Sequence, residues 1–439
     1  MRGKIASGAL ALTLAAATVA GRAHAATIKT VALQNDPSPR APYLYRRFRE
    51  VAVSDAVGQH VAVIAQLRGT RCLFKLDPDG VVPGATAACR HDPTPDALVF
   101  GNPGGPSIDV AGDVAFAAPV NPGRSGVFRS DPTFVATTGD PAPAPATGSL
   151  ERFVFGRLSD TGDVAFEATI DGGALVGGVR VDQGLFLCSG GNGNCSAAYG
   201  GTGVLGRLAL VNDAVPDRPG REFCSFAQLD ASTFGIAFRA STQLDCADTA
   251  EPPAVGVFRK PAGGPIETLA LQGEAANPNP SPGGTVYVLP QPPAISNTGV
   301  VAFVSAVTGS TTTAAIYRCT PGICPASPAQ AAVSPGDTDV DGNVLINLET
   351  PEVSDAGDIA FHARVAPPDA RKVEALYIKR AAGSLDRIAL AGDVVPGSSP
   401  VATFRGLGQP SASPAGKVAF VGRIRRGTPP QLHGVFVFE

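Results

Sequence analysis

Ser159-Asp160-Thr161-Gly162-Asp163-Val164-Ala165-Phe166 reads as a tight turn running into a buried strand. The Ser and Asp oxygens can bond local amides, and the glycine supplies the positive φ that such a turn needs. Val-Ala-Phe is continuously apolar, as expected of a strand covered on both faces. The unit returns as Ser296-Asn297-Thr298-Gly299-Val300-Val301-Ala302-Phe303 and as Ser354-Asp355-Ala356-Gly357-Asp358-Ile359-Ala360-Phe361. It returns again over Ser413 to Phe420, with Pro414 in the turn, and in shorter form as Ala111 to Phe116. Two copies are degenerate: Val61-Ala62-Val63, and Gly235-Ile236-Ala237-Phe238, where Phe234 stands in the expected glycine position. Seven units result.

Three further elements keep step with it. A strand ends in an aliphatic–aromatic pair in each unit: Leu73-Phe74, Val127-Phe128, Leu185-Phe186, Val257-Phe258, Ile316-Tyr317, Leu376-Tyr377 and Val435-Phe436. Another runs into an acidic turn, whose acid is Asp36, Asp92, Asp140, Asp213, Glu274, Asp337 or Asp393. A last one precedes the glycine turn, as in Phe153-Val154-Phe155. Four strands in about 59 residues fit one blade of a β-propeller, so the expected fold is all-β, with seven four-stranded blades. The mature chain opens on an acidic-turn strand, Ile28 to Asp36, and stops at Val435-Phe436-Val437-Phe438-Glu439, where that strand is due. The first strand is therefore expected to complete the last blade and close the ring, which removes exposed sheet edges. An open β-solenoid is the alternative.

The N-terminus reads as a secretory leader over residues 1–25: Arg2 and Lys4, an uncharged apolar run from Ile5 to Ala20, then Ala23-His24-Ala25 as a small-x-small cleavage pattern. The apolar run is shorter than the ~20 residues of a membrane span. Residues 26–439 form the propeller domain, expected to be a secreted, periplasmic or cell-surface monomer with no transmembrane segment once the leader is removed. Apolar residues at 44% supply a core, and Gly 52 and Pro 40 supply turns. A formal charge of −3 without a basic cluster excludes a nucleic-acid partner. Eight cysteines fall into four local pairs: Cys72 with Cys89, Cys188 with Cys195, Cys224 with Cys246 and Cys319 with Cys324. In an exported chain this pattern reads as disulfides.

The eight-residue units resemble the tandem repeat of the bacterial NxxGxxAF-repeat proteins, with Gly162, Ala165, Phe166 and their counterparts carrying the likeness over the whole mature chain; the first position is Ser rather than Asn. The resemblance implies a surface or secreted protein and no catalytic residues. Because the chain ends on a strand, release or non-covalent attachment is expected in place of covalent anchoring.

Asp337-Thr338-Asp339-Val340-Asp341-Gly342-Asn343 is the sharpest chemical motif. Asp337, Asp339, Asp341 and Asn343 could wrap calcium in a glycine-bent loop, yet position twelve is Leu348 and no helices flank it, so a solvated acidic turn is the competing reading. Calcium is the one cofactor suggested. His60, His91, His362 and His433 are scattered over separate units, and no G-x-S-x-G elbow occurs. Zero Trp weakens sugar stacking. The expectation is a non-enzymatic binding or structural scaffold at the cell envelope, its partner an unknown protein or glycan docking on the inserts Asp171 to Asp182 and Leu244 to Pro253. A calcium-dependent hydrolase or lyase on the propeller is the alternative, which predicts carboxylates converging at the pore.

Overall fold

The computed structural model describes residues 27–439 apart from 57, 59, 82, 131–132, 174, 177–178, 191–193, 249, 277–285, 310–312, 325–326, 368–370, 399–400 and 426–430. The leader therefore lies outside the described residues. Seven antiparallel sheets form the blades of a ring, neighbouring strands following one another along the chain except at the outer edge of the last blade. In the third blade the order from axis to rim is Ser149–Leu158, Val164–Asp171, Gln183–Ser189 and Val204–Leu210. The innermost strand is broken in two in the second, fifth and seventh blades. In the second, the break between Val99–Phe100 and Gly104–Ile108 falls at Asn102-Pro103, where proline cannot donate to the ladder.

The last blade is completed from the other end of the chain. Ile28–Leu33 pairs antiparallel with Gln431–Phe438, setting Ile28 opposite Phe438 and Thr30 opposite Phe436. Thr27 and Glu439 extend this ladder by exchanging two N–H···O bonds of 3.1 Å. The edges an open solenoid would have to cap are thereby paired to each other, and the ring is closed as the phasing predicts.

In six of the seven blades the repeat's aromatic stands opposite the aromatic of the aliphatic–aromatic strand. Phe116 faces Phe128, Phe166 faces Phe186, Phe238 faces Phe258, Phe303 faces Tyr317, Phe361 faces Tyr377 and Phe420 faces Phe436. All are buried, and their ring centroids lie 5.4–5.8 Å apart. Such pairs are worth roughly 0.5–1.5 kcal/mol each beyond the area they bury. The first blade replaces one member, with Val63 opposite Phe74. The turn chemistry also follows the reading: the N–H of Asp163, Val300, Asp358 and Lys417 donates to the Oγ of Ser159, Ser296, Ser354 and Ser413. Gly162, Gly299, Gly357 and Gly416 take φ of 80–89° there.

The recurring acids are structural. Asp36, Asp92, Asp140, Asp213, Asp337 and Asp393 each accept the backbone N–H three residues back, from Leu33, Cys89, Thr137, Leu210, Ser334 and Leu390 respectively. The four expected disulfides form: Cys72 is bonded to Cys89, Cys188 to Cys195, Cys224 to Cys246 and Cys319 to Cys324. Each joins residues no more than 22 positions apart, so all four staple local hairpins and loops and none ties one blade to a distant one.

Blades are locked to one another by buried polar pins. Arg259, 1% exposed, reaches from the fourth blade to the carbonyls of Gly299 and Cys324 in the fifth, balanced by Glu267. Its guanidinium lies over the ring of Phe234, which explains the residue that replaced the turn glycine in this unit. Gly299 is fixed twice over, because a Cβ there would fall 2.6 Å from that same ring. Between the third and fourth blades Glu167 accepts from Gln183 Nε2, and Gln183 Oε1 accepts from the N–H of Phe226. Glu167 is 4% exposed and its second oxygen meets no donor. Burial pushes its carboxyl up from 4.5 to about 7.

A carboxyl whose folded pKa is raised stabilises the fold below its unfolded pKa, and this contribution is lost as pH rises through the folded value. Glu167 is therefore expected to withdraw on the order of 3 kcal/mol between pH 4.5 and 8. Thermal unfolding followed across this range should show Glu167→Gln gaining stability over the wild type at pH 8 and not at pH 4.5.

Candidate functional site

The inner strands of all seven blades enclose a cavity of about 380 Å³ on the ring axis. Its polar lining follows from one position of the repeat, two residues before the turn's first Ser or Asp. Four blades place a small residue there, Ala52, Ser107, Ala294 and Ser411. Ser107 and Ser411 use their hydroxyls to accept the N–H of the next blade, from Leu158 and Val53, at 3.0 and 3.3 Å. Asp230 does the same with Oδ2, accepting Ile295 N–H at 2.9 Å. These three bonds are seam contacts between neighbouring blades. The remaining two blades carry Arg157 and Glu352.

Arg157 is tied to the walls by long contacts, its Nε and Nη1 each 3.4 Å from the carbonyls of Leu229 and Pro106. Its Nε lies 4.0 Å from Asp230 Oδ1. Water reaches a third of the arginine side chain and 26% of the aspartate, yet protein surrounds both. Burial pushes the Asp230 carboxyl up, against the opposing charge of Arg157 and the N–H groups of Ile295 and Ala231. Glu352 is pushed up to about 8, by burial first and by Asp230 second, with Arg157 opposing. Among the described residues no hydrogen-bond donor meets the Glu352 carboxyl. Burial thus opposes charge on both acids, and the Arg157 guanidinium works against that push on each.

Below this layer the residue after the turn's first position builds a collar. Asp55 accepts from Ser413 Oγ and Ala415 N–H, at 2.7 and 2.6 Å. Asp160 accepts from Val110 N–H, Asn297 from Thr233 N–H and Asp355 from Asn297 N–H, each reaching back to the preceding blade. The Asn297 amide also donates to Asp160 at 2.6 Å and to Asp355 at 3.2 Å. Burial raises Asp355, and the nearby charges of Asp160 and Asp55 add to it against the Asn297 bonds.

The calcium-loop residues lie elsewhere, on the connection between the fifth and sixth blades. Asp339 Oδ1 accepts the N–H of Asp341 and of Asn343, and Oδ2 accepts Asn343 Nδ2 and Tyr377 Oη, so four donors engage one carboxylate. Burial opposes ionisation there, and these donors hold the carboxyl below its ordinary range. Asp341 pairs with Arg387 at 2.6 Å, and Asp337 serves its turn. Among the described residues no three His, Cys, Asp or Glu side chains converge to hold a metal ion. His362 is buried at the seam of the sixth and seventh blades, 3.1 Å from Glu349, which also accepts from Gln409. The inserts Asp171 to Asp182 and Leu244 to Pro253 join second strands to third strands, so both leave the ring at the end opposite the collar.

Arg157, Asp230 and Glu352 escaped the sequence reading, although a signal existed. Once the units are stacked by their turns, charge appears in a column otherwise filled by Ala and Ser.

Comparison with known proteins gives a family match and remote fold likenesses. The profile of a family of unknown function, DUF7453, matches residues 200–437. No curated protein sequence matches the chain. A protein of unknown function from Dyadobacter fermentans DSM 18053 is 11% identical with a TM-score of 0.36, over 80% of this chain and 97% of that one. The PQQ-bound aldose sugar dehydrogenase of Streptomyces coelicolor is 13% identical with a TM-score of 0.33, over 77% and 94%. An α-L-arabinofuranosidase of Podospora anserina, in complex with cellotriose, is 10% identical with a TM-score of 0.25, over 69% and 95%. At these scores none of the three bears on the site.

Because Asp230 helps hold the Glu352 proton, Asp230→Asn should lower the Glu352 pKa from about 8 towards the ordinary range. Carboxyl-carbon NMR titration of the variant reads that displacement directly, and an unmoved Glu352 would show that the two groups do not interact.

Proposed function

The chain belongs to DUF7453, a family of unknown function, and we propose that it is an exported, non-enzymatic propeller that acts by binding a small polar ligand on its axis. One observation carries this reading: Glu352 places a carboxyl with no donor among the described residues in the axial cavity, where the equivalent side chains are small or tied into seams. A ligand that donates to this carboxyl gives it a partner within the protein, and a hydrogen bond to a charged group is worth roughly 1.5–3 kcal/mol. The cavity volume lies within the range of small-molecule sites, and sites of this kind gather a few polar groups among apolar walls. Ile295, Val353 and Val421 provide such walls.

Export rests on the leader reading of residues 1–25. Four disulfides point to an oxidising compartment, which agrees with it. No helix among the described residues is long and apolar enough to cross a membrane. A partner at the cell envelope remains part of the proposal, with the long inserts at the far end of the ring free to carry it.

Hydrolysis on the propeller is the second reading. The same pair supports it, because two neighbouring carboxyls whose ionisation burial opposes can serve as acid and base. That reading requires turnover of a substrate, abolished in both Glu352→Gln and Asp230→Asn.

Ligand binding on the axis is tested by a thermal-shift screen of small polar compounds against the wild type and against Glu352→Leu, which removes the carboxyl. Compounds that bind should raise the wild-type Tm by a degree or more and leave the variant unmoved, since a ligand held only by the native state stabilises it by mass action. Equal shifts in both proteins would place binding away from the axis.

A further inference from the structure

The charges around the cavity identify what the ligand brings. Its described lining holds two guanidiniums, Arg49 and Arg157, against five carboxyls. Arg157 is turned to the carbonyls of Leu229 and Pro106, while Arg49 is exposed. Of the carboxyls, Glu50 caps Gly105 N–H, and Asp160 and Asp355 are bonded into the collar. Asp230 has one oxygen on Ile295 N–H, and its other is 4.0 Å from Arg157. Glu352 alone has no donor among the described residues. The surplus of acceptors over donors is the opposite of what an anionic or carboxylate ligand needs.

Resting on the binding reading above, we infer that the ligand carries a protonated amine, and that its ammonium group binds at Glu352 and Asp230. Where the Glu352 carboxyl is protonated before binding, it gives its proton to solvent, the carboxylate remaining pairs with the incoming ammonium, and no charge is added to the cavity. An ammonium has three N–H donors and no acceptor, which suits a wall of oxygens. A calcium ion takes six to eight oxygen ligands, and no three metal-ligating side chains converge among the described residues. The described lining presents no aromatic ring, so neither ring stacking on a sugar nor an aromatic cage for a quaternary ammonium is available. The raised pKa of Glu352 is consistent with this exchange. Asp230 and Arg157 act on the Glu352 carboxyl, and Asp160, Asp355, Arg49 and Glu50 line the same cavity, all present in the wild-type measurement.

Three four-carbon probes of equal length isolate the charge: 1,4-diaminobutane, 1,4-butanediol and succinate, with Ca²⁺ as a fourth. Each is titrated calorimetrically into the full mature chain at pH 7, in two buffers of different ionisation enthalpy. The diamine should bind at one site, and the difference between buffers should correspond to release of close to one proton. Glu352→Gln should weaken it at least tenfold and abolish the buffer dependence. Binding of the diol or succinate as tightly as the diamine overturns the inference and leaves the binding reading standing. Proton release with Ca²⁺ and not with the diamine also overturns it, in favour of a metal ion. If none of the four binds, the inference fails; if the thermal-shift screen is flat as well, the binding reading fails with it. The wild-type proton count stands even where the variant does not fold.

Discussion

The pairing of Ile28–Leu33 with Gln431–Phe438 is the constraint on which the molecule depends. Seven sheets packed face to face bury their Val-Ala-Phe strands only if each has a neighbour on both sides. A ring meets that requirement for every blade, whereas an open stack leaves two faces and two edges exposed. The backbone ladder between the chain's ends supplies the missing outer strand and the loop closure in a single contact. Seam pins such as Arg259 on Gly299 and Cys324 then act between blades already held in register.

Closure also creates the site. Inner strands that meet around an axis cannot fill it completely, and what remains is set by side chains two residues before each turn. Where these are Ser or Ala the wall is neutral, and the Ser hydroxyls bond one blade to the next. Arg157 and Glu352 depart from that rule, and Asp230 obeys it with a carboxylate in place of a hydroxyl. All three fall between the third and sixth blades, so charge is concentrated on one side of the axis. The seam bonds use up one oxygen of Asp230 and none of Glu352, so the chemistry falls to the residue that structure does not need.

Most of the architecture was legible because each signal was local and repeated. The Ser-Asp-x-Gly turn, the aliphatic–aromatic strand and the acid three residues after a strand's N–H each rest on contacts within one hairpin. The cysteines paired as their spacing suggested for the same reason: Cys188 and Cys195, like Cys224 and Cys246, meet within a single blade. The axial residues were not legible, since Arg157, Asp230 and Glu352 are separated by 73 and 122 positions and meet only when the blades are arranged in a ring. Phe234 looked like decay of the repeat and is instead a platform for Arg259, a contact between blades that no single unit can reveal. The loop from Asp337 to Asn343 shows the converse case. Its spacing resembles a cation loop, while its central Asp339 is met by four donors from its own turn and from Tyr377.

Native-state amide hydrogen exchange gives the most direct test of a ring joined through its two ends. Amides of residues 28–33 that are bonded to the C-terminal strand should be protected to the same degree as those of Val435–Phe438, and both should open together in one cooperative step. Fast exchange in the N-terminal strand beside a fully protected C-terminal strand would contradict the account, because the ring would then hold its shape without the joint assigned to it.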